Sequence, residues 1–236
     1  MRFNPDKCMF GVEGGKFLDY MLTHRGIEAN PKKCRAITEM RSPENVKEIQ
    51  KLISRLTTLS RFLPKLVEKT KSIIQLLRKA TKFNWMVECE EIFLHLKASL
   101  VAPSVIQKSD TQRSIIIYLA VLEEAVSATL VQEVEKEEQL VYFISGFLHV
   151  VEVSYQMIEK VAITLLVTAR RMRIYFQNHH IIVKTDYPIM KILAKHDLVG
   201  RMIRRVVELY EFQIQYQPRG VIKSLALADF TTKLSP

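Results

Sequence analysis

Glycine is scarce: seven in 236 residues. Only Gly14 and Gly15 are adjacent, and neither a Walker nor a dinucleotide-binding spacing follows them, which excludes a glycine-rich phosphate loop. The three cysteines, Cys8, Cys34 and Cys89, are scattered, odd in number and without a Cys-x-x-Cys pair. That argues against a disulfide framework or a zinc knuckle and for a reducing intracellular compartment, cytoplasmic or nuclear. Apolar runs are short. Val161 to Ala169, between Lys160 and Arg170, falls far below the roughly 20 residues a membrane-spanning helix needs, so no membrane partner is expected. The opening Met1-Arg2-Phe3-Asn4-Pro5-Asp6-Lys7 has no apolar segment and no small-residue cleavage site, and no secretory signal is expected from it. Aspartate is scarce too: Asp6, Asp19, Asp110, Asp186, Asp197 and Asp229, no two adjacent.

What is abundant is positive charge. Lys and Arg number 35 against 25 Asp and Glu, a formal net charge of +10. A basic balance favours polyanionic partners, nucleic acid before anionic membrane. The charge is unevenly placed: residues 1–108 carry 20 basic and 11 acidic side chains, residues 109–236 carry 15 and 14. Length admits one or two domains. The 48% hydrophobic content suffices for a buried core and argues against wholesale disorder.

The pattern along the chain changes near residue 104. Residues 17–29 read as a hairpin turning at His24-Arg25-Gly26, and Asn30-Pro31 as the N-cap and first position of a helix over 32–40. Asn45 with Glu48 three residues on forms a capping-box pattern. Ile49, Leu52, Ile53, Leu56, Leu59 and Leu63 follow at the spacing of one helical face, with Lys47, Lys51, Arg55 and Arg61 off it and Pro64 ending it. Further helices are expected over 66–79 and 87–100. Beyond Ser104, short β-branched runs at 114–121, 125–133 and 139–145 predict an antiparallel meander, with Glu133 to Glu138 as a solvated turn. A long helix over 155–176, a strand over 181–185, helices near 189–195 and 201–209, and a last strand over 212–216 complete an α+β chain. It opens with a short hairpin and a basic helical unit and closes with an α/β unit, order βββαβα, on a mixed sheet.

Few residues in this pattern suggest chemistry. A two-metal phosphoryl-transfer centre needs several carboxylates converging on ions about 4 Å apart. Asp186 directly follows an apolar strand, the position at which backbone geometry fixes such a group, but it also suits a cap for the turn Asp186-Tyr187-Pro188. Asp229 sits in a short apolar helical turn and Glu159 near the start of a helix, both ordinary places for a surface carboxylate. His179 and His180 are adjacent before a strand, so they point to opposite faces and are poor joint ligands. Arg170, Arg171 and Arg173 suit either phosphate contact or a polar helix face.

Several stretches together resemble a known family. Asn4-Pro5-Asp6-Lys7-Cys8-x-Phe10 is similar to the LN-x-x-KC-x-F segment of retroelement reverse transcriptases. Phe17-Leu18 through Gly26-Ile27 resembles its hairpin, and Asn30-Pro31-x-Lys33 its following helix start. Ser42-Pro43 through Leu59-Ser60-Arg61-Phe62 resembles its thumb helices, and Phe83-x-Trp85, Glu91-x-Phe93-x-x-Leu96-Lys97 and Ala102-Pro103 the segment after them. Tyr155-x-x-x-Glu159-Lys160, Arg173-x-Tyr175-Phe176, Val183-x-Thr185-Asp186 and Ala228-Asp229 resemble the RNase H domain that follows in gypsy-type long-terminal-repeat retrotransposon Pol polyproteins, those of plants above all.

The resemblance implies two parts: residues 1–104 as the end of the palm with the thumb and connection, and residues 105–236 as an RNase H-like domain. Its ancestral work would be copying RNA into DNA and cutting the RNA of the hybrid, with Mg²⁺ as cofactor and an RNA–DNA hybrid or other nucleic acid as partner. The departures imply loss. No Asp-Asp pair exists for polymerisation. Ala120 stands where the family's first RNase H carboxylate belongs, and Val161 where its helix carries a metal-binding Glu. Glu159, Asp186 and Asp229 remain as vestigial catalytic positions, with Asp186 and Asp229 as the metal ligands if any activity persists. Lys47, Lys51, Arg55 and Arg61 are the expected nucleic-acid contacts. Two other readings stay open: a non-catalytic nucleic-acid-binding or interaction module, and a retroelement relic without function.

Overall fold

The structure, a computed structural model, describes residues 11–17, 20–64, 66–78, 83–189 and 207–219. Asp229, the motif around Asn4 to Phe10 and most of the two helices expected within 189–209 lie outside them.

The first sheet is a small antiparallel one of three strands, β1 (Gly15–Phe17), β2 (Tyr20–Thr23) and β3 (Gly26–Ala29). It carries one strand more than the expected hairpin. Gly26 opens β3 at φ +129°, and a Cβ there would lie 2.4 Å from the carbonyl oxygen of Ile106. Glycine alone fits that close approach. It lets Ile27 and Ile106 exchange two backbone hydrogen bonds, 2.8 and 2.9 Å long, which tie the sheet to the segment leading into the second half.

Helix α1 (Pro31–Thr38) starts at Asn30, whose side chain accepts from the Lys32 N–H. In α2 (Val46–Thr58) the Asn45 side chain accepts from the Glu48 N–H at 3.0 Å, while the Glu48 carboxylate reaches back to the N–H of Glu44. Ile49, Leu52 and Leu56 face inward and are buried. The stripe continues through Leu59 and a 3₁₀ turn, Ser60–Phe62. The expected helix 66–79 is two pieces, α3 (Leu66–Lys69) and α4 (Lys71–Arg78). Between them the Thr70 hydroxyl donates to the Leu66 carbonyl, a local bond that competes with a straight helix. Helix α5 (Val87–Val101) buries Cys89, Phe93, Leu96 and Leu100.

The second sheet has five strands in the order β6-β5-β4-β7-β8. The meander β4 (Ile115–Val121), β5 (Ala125–Val134) and β6 (Glu137–Phe147) is antiparallel. Its tight turn places Glu135 and Lys136 at positive φ, as a two-residue hairpin requires. Strand β7 (Ile181–Lys184) pairs parallel to β4, and β8 (Ile214–Gln217) parallel to β7, which makes the sheet mixed. Helix α7 (Met157–Arg171) packs its apolar face on β4 and β5. The long helix expected over 155–176 breaks at Met172, with α8 (Arg173–Asn178) following, and the short α6 (Val150–Val153) precedes it.

Two apolar cores result. One gathers Ile37, Leu52, Phe62 and Phe93 of the helical half, and it also takes Leu140 and Phe143 from β6. The other joins β4, β5 and β7 to α7. Among the described residues Cys34 and Cys89 are free, buried thiols whose pKa burial raises. No described helix is long and apolar enough to cross a membrane.

Candidate nucleic-acid interface and candidate metal site

Asp186 lies two residues past the end of β7. The β4–β7 register runs with a constant offset of 66, from Ile115↔Ile181 to Tyr118↔Lys184. Its continuation brings Ala120 level with Asp186. Thr185, not Asp186, caps the turn, since its hydroxyl accepts from the Tyr187 N–H at 3.2 Å. The Asp186 carboxylate instead accepts from the Arg219 backbone N–H at 3.0 Å, just past β8.

A pocket of about 190 Å³ lies beside Asp186. Leu119 and Val121 of β4 and Met157 and Val161 of α7 supply its apolar wall, and Lys184, Thr185, Tyr187 and Arg219 complete its lining. Strand alternation turns Ala120 to the other sheet face, where it packs with Ile116, Tyr118 and Val131. Glu159 does not line the pocket. Its carboxylate accepts from the Gln156 N–H at 3.0 Å, as the third residue of a helix-start capping box. The structure therefore brings Asp186 together with Val161, and does not bring Glu159 to the same place.

This donor set does not fit a pair of divalent cations. Asp186 is the one carboxylate lining the pocket among the described residues, and one of its oxygens already accepts a backbone N–H. Hard cations need several oxygen donors. No group of three or more His, Cys, Asp or Glu side chains able to hold a metal occurs among the described residues.

On the other face of the sheet lies a polar cluster that the sequence did not announce. Glu138, expected in a solvated turn, has a side chain only 3% exposed. It accepts a short hydrogen bond from the hydroxyl of fully buried Tyr118. Lys184 donates to the same hydroxyl at 3.2 Å and stands 3.9 Å from Glu138. Burial first, and the Glu138 carboxylate second, push the Tyr118 pKa far above its ordinary value. The only sequence sign of this cluster is a tyrosine inside an otherwise aliphatic strand.

The four basic residues expected to meet nucleic acid divide in two. Lys47 and Lys51 are exposed on α2. Arg55 turns inward and donates to the Ala36 carbonyl and the Met40 sulfur. Arg61 is half-buried, its guanidinium 4.6 Å from the Tyr20 ring centre and 5.4 Å from that of Tyr142. In the arginine run, Arg170 pairs with Glu208 and Arg173 with Glu211. Arg171 donates to the Ser145 carbonyl.

This sheet order, with a helix packed across β4 and β5, coincides with a family match. Residues 110–212 match the model of the RNase H-like domain found in reverse transcriptase. That segment is similar to the RNase H-like domains of reverse transcriptases. The Pol polyprotein of transposon 412 from Drosophila melanogaster is 24% identical over 219 residues, which is 92% of this chain and 18% of the relative. The Tf2-3 transposon polyprotein of Schizosaccharomyces pombe is 23% identical over 230 residues, 91% of this chain and 17% of the relative. The chain thus spans less than a fifth of the length of these two relatives. The foamy viral protease-reverse transcriptase in complex with an RNA/DNA hybrid shares the fold at a TM-score of 0.74 and 16% identity, covering 90% of this chain and 30% of that one. Its complex with double-stranded DNA gives 0.73. The likeness reaches past the RNase H-like domain into the helical half, and it carries the fold.

Proposed function

We propose that the chain is a stretch of a gypsy-type, plant-like retrotransposon Pol polyprotein that holds an RNA–DNA hybrid without cutting it. Residues 1–104 correspond in this reading to the palm end, thumb and connection of a reverse transcriptase, and residues 105–236 to an RNase H-like domain with a degenerate centre. An intracellular location, cytoplasmic or nuclear, goes with it. The observation that carries the reading is the pocket at Asp186, where one carboxylate stands against an apolar wall of Leu119, Val121, Met157 and Val161. A fold built to grip a duplex is kept while the ligands for cleavage are not. The basic excess of residues 1–108 supports binding through the phosphate backbone, which is independent of base sequence.

The test is a labelled RNA–DNA hybrid incubated with the full chain in Mg²⁺ or Mn²⁺, beside Asp186→Asn. The expected result is no cleavage by either protein, with binding that weakens steeply as salt rises. Cleavage by the unsubstituted chain that Asp186→Asn abolishes refutes the loss of catalysis. Affinity that does not change with salt refutes the binding mode.

A further inference from the structure

A second cleft, of about 460 Å³, opens where the helical half meets β6 and the end of α7. Thr57, Ser60 and Arg61 line it from the helical side, and Tyr142, Ser145 and Arg171 from the sheet side. It thus presents two guanidinium groups and four hydroxyls. None of the residues lining it is a carboxylate. That composition suits an anion and rejects a cation.

The two arginines are set apart from their neighbours. The Arg61 guanidinium lies over the rings of both Tyr20 and Tyr142. Cation–π contact engages the guanidinium through its charge and leaves its N–H edge for a bidentate acceptor. Among the described residues no hydrogen bond or ion pair uses that edge. Arg171 spends one N–H on the Ser145 carbonyl, while Arg170 and Arg173 on either side are neutralised by Glu208 and Glu211. The run therefore contains one arginine aimed into a cleft without a carboxylate partner among the described residues.

We propose that this cleft is a phosphate-binding site in which Arg61 and Arg171 grip the two sides of one phosphate, with the Ser60 hydroxyl completing its hydrogen bonds. The phosphate comes from a nucleic-acid backbone if the hybrid-holding function holds, on which this choice of source rests, and from a free phosphorylated ligand otherwise. A planar fork on each side matches tetrahedral oxygens, whereas a lysine would offer only a point charge. The site would join the helical half and the RNase H-like domain through one ligand.

Two measurements on the full chain test it. In the first, inorganic pyrophosphate is titrated while the arginine Nε–H signals are followed by NMR. Arg61 and Arg171 are expected to shift together and saturate, and ion-paired Arg170 to stay. Absence of those shifts overturns the site, whatever the hybrid does. In the second, a short RNA–DNA hybrid is bound across a salt series by the unsubstituted chain, Arg171→Gln, Arg61→Lys and the control Arg170→Gln. Each of the first two is expected to weaken binding about tenfold, and Arg171→Gln to reduce the salt slope by about one. Arg170→Gln is expected to change neither. Hybrid binding that both variants leave intact overturns the site as a backbone contact and leaves the hybrid-holding function standing. Saturable pyrophosphate shifts without any hybrid binding uphold the site and overturn that function.

Discussion

Replacing Tyr118 with Phe removes one oxygen from the centre of the second sheet and nothing else. The ring is fully buried and stays, so no cavity larger than a hydroxyl is left. The oxygen makes two bonds to charged partners, donating to Glu138 and accepting from Lys184. Hydrogen bonds to charged groups contribute roughly 1.5–3 kcal/mol each. Lys184 keeps some access to solvent and recovers part of its share. Glu138 does not: its side chain is 3% exposed and its second oxygen has no hydrogen-bond partner. After the substitution its nearest cation among the described residues is Lys184 at 3.9 Å. A loss of about 2–4 kcal/mol follows, dominated by the stranded carboxylate. Urea unfolding followed by circular dichroism measures it, with Glu138→Gln and the double variant completing a cycle. The coupling between the two sites is expected at about 1–3 kcal/mol. Tyr187→Phe, on an exposed residue, is expected to stay within about 0.5 kcal/mol of the parent. A Tyr118→Phe loss below that figure, or a coupling near zero, refutes the account of a buried charge cluster held by one hydroxyl.

Gly26→Ala should destabilise by about 2 kcal/mol or more, since φ is positive and the new Cβ meets the Ile106 carbonyl. Thermal melting checks it against Gly15→Ala, where a Cβ meets nothing within 4 Å. The Glu90 carboxylate accepts from the Trp85 indole N–H and the Ser42 hydroxyl, in that order of effect, and these hold its pKa below the ordinary value. A lowered folded pKa gives stability that is complete above the ordinary carboxylate pKa of about 4.3 and is lost as pH falls through the folded value. Fluorescence of Trp85, the chain's one tryptophan, should therefore report a stability loss below about pH 4 that Glu90→Gln flattens. Adding about 10 mM MgCl₂ should leave the melting temperature unchanged at constant ionic strength, because binding to the folded state alone would raise it.

The most legible element was α2. Its stripe Ile49, Leu52, Leu56 and Leu59 is buried as the spacing demanded, and the Asn45 cap is in place. The meander was legible because β-branched runs and a charged turn bound it closely. The breaks were not. The apolar pattern runs through Thr70 and Met172 without a flaw, and the chain bends there through threonine hydroxyls bonded to carbonyls within their own helix and an arginine-rich exit. At the pocket, resemblance singled out Asp186 and Val161, and geometry puts both there. It also singled out Glu159, but spacing along a helix does not show that a carboxylate is spent on the Gln156 N–H. Glu138 looked like one of four turn glutamates, because its burial depends on Tyr118 from another strand. Arg55 and Arg61 sat off the apolar stripe like the lysines, yet contacts with Ala36, Met40, Tyr20 and Tyr142 draw both inward. Such long-range partners have no signature in local pattern.

Strand β6 turns Val141 and Ile144 toward one core and Leu140 and Phe143 toward the other. Its pairing with β5 slips by one residue at Leu130 and Val131, which permits the double allegiance. This has a consequence for the order in which the protein is made. A ribosome finishes α1 to α5 long before it reaches Leu140, so the nascent helices emerge without two of the side chains that close their core. They stay incompletely packed until the β5–β6 hairpin follows them out, and the helical half matures only after the sheet behind it has begun to form.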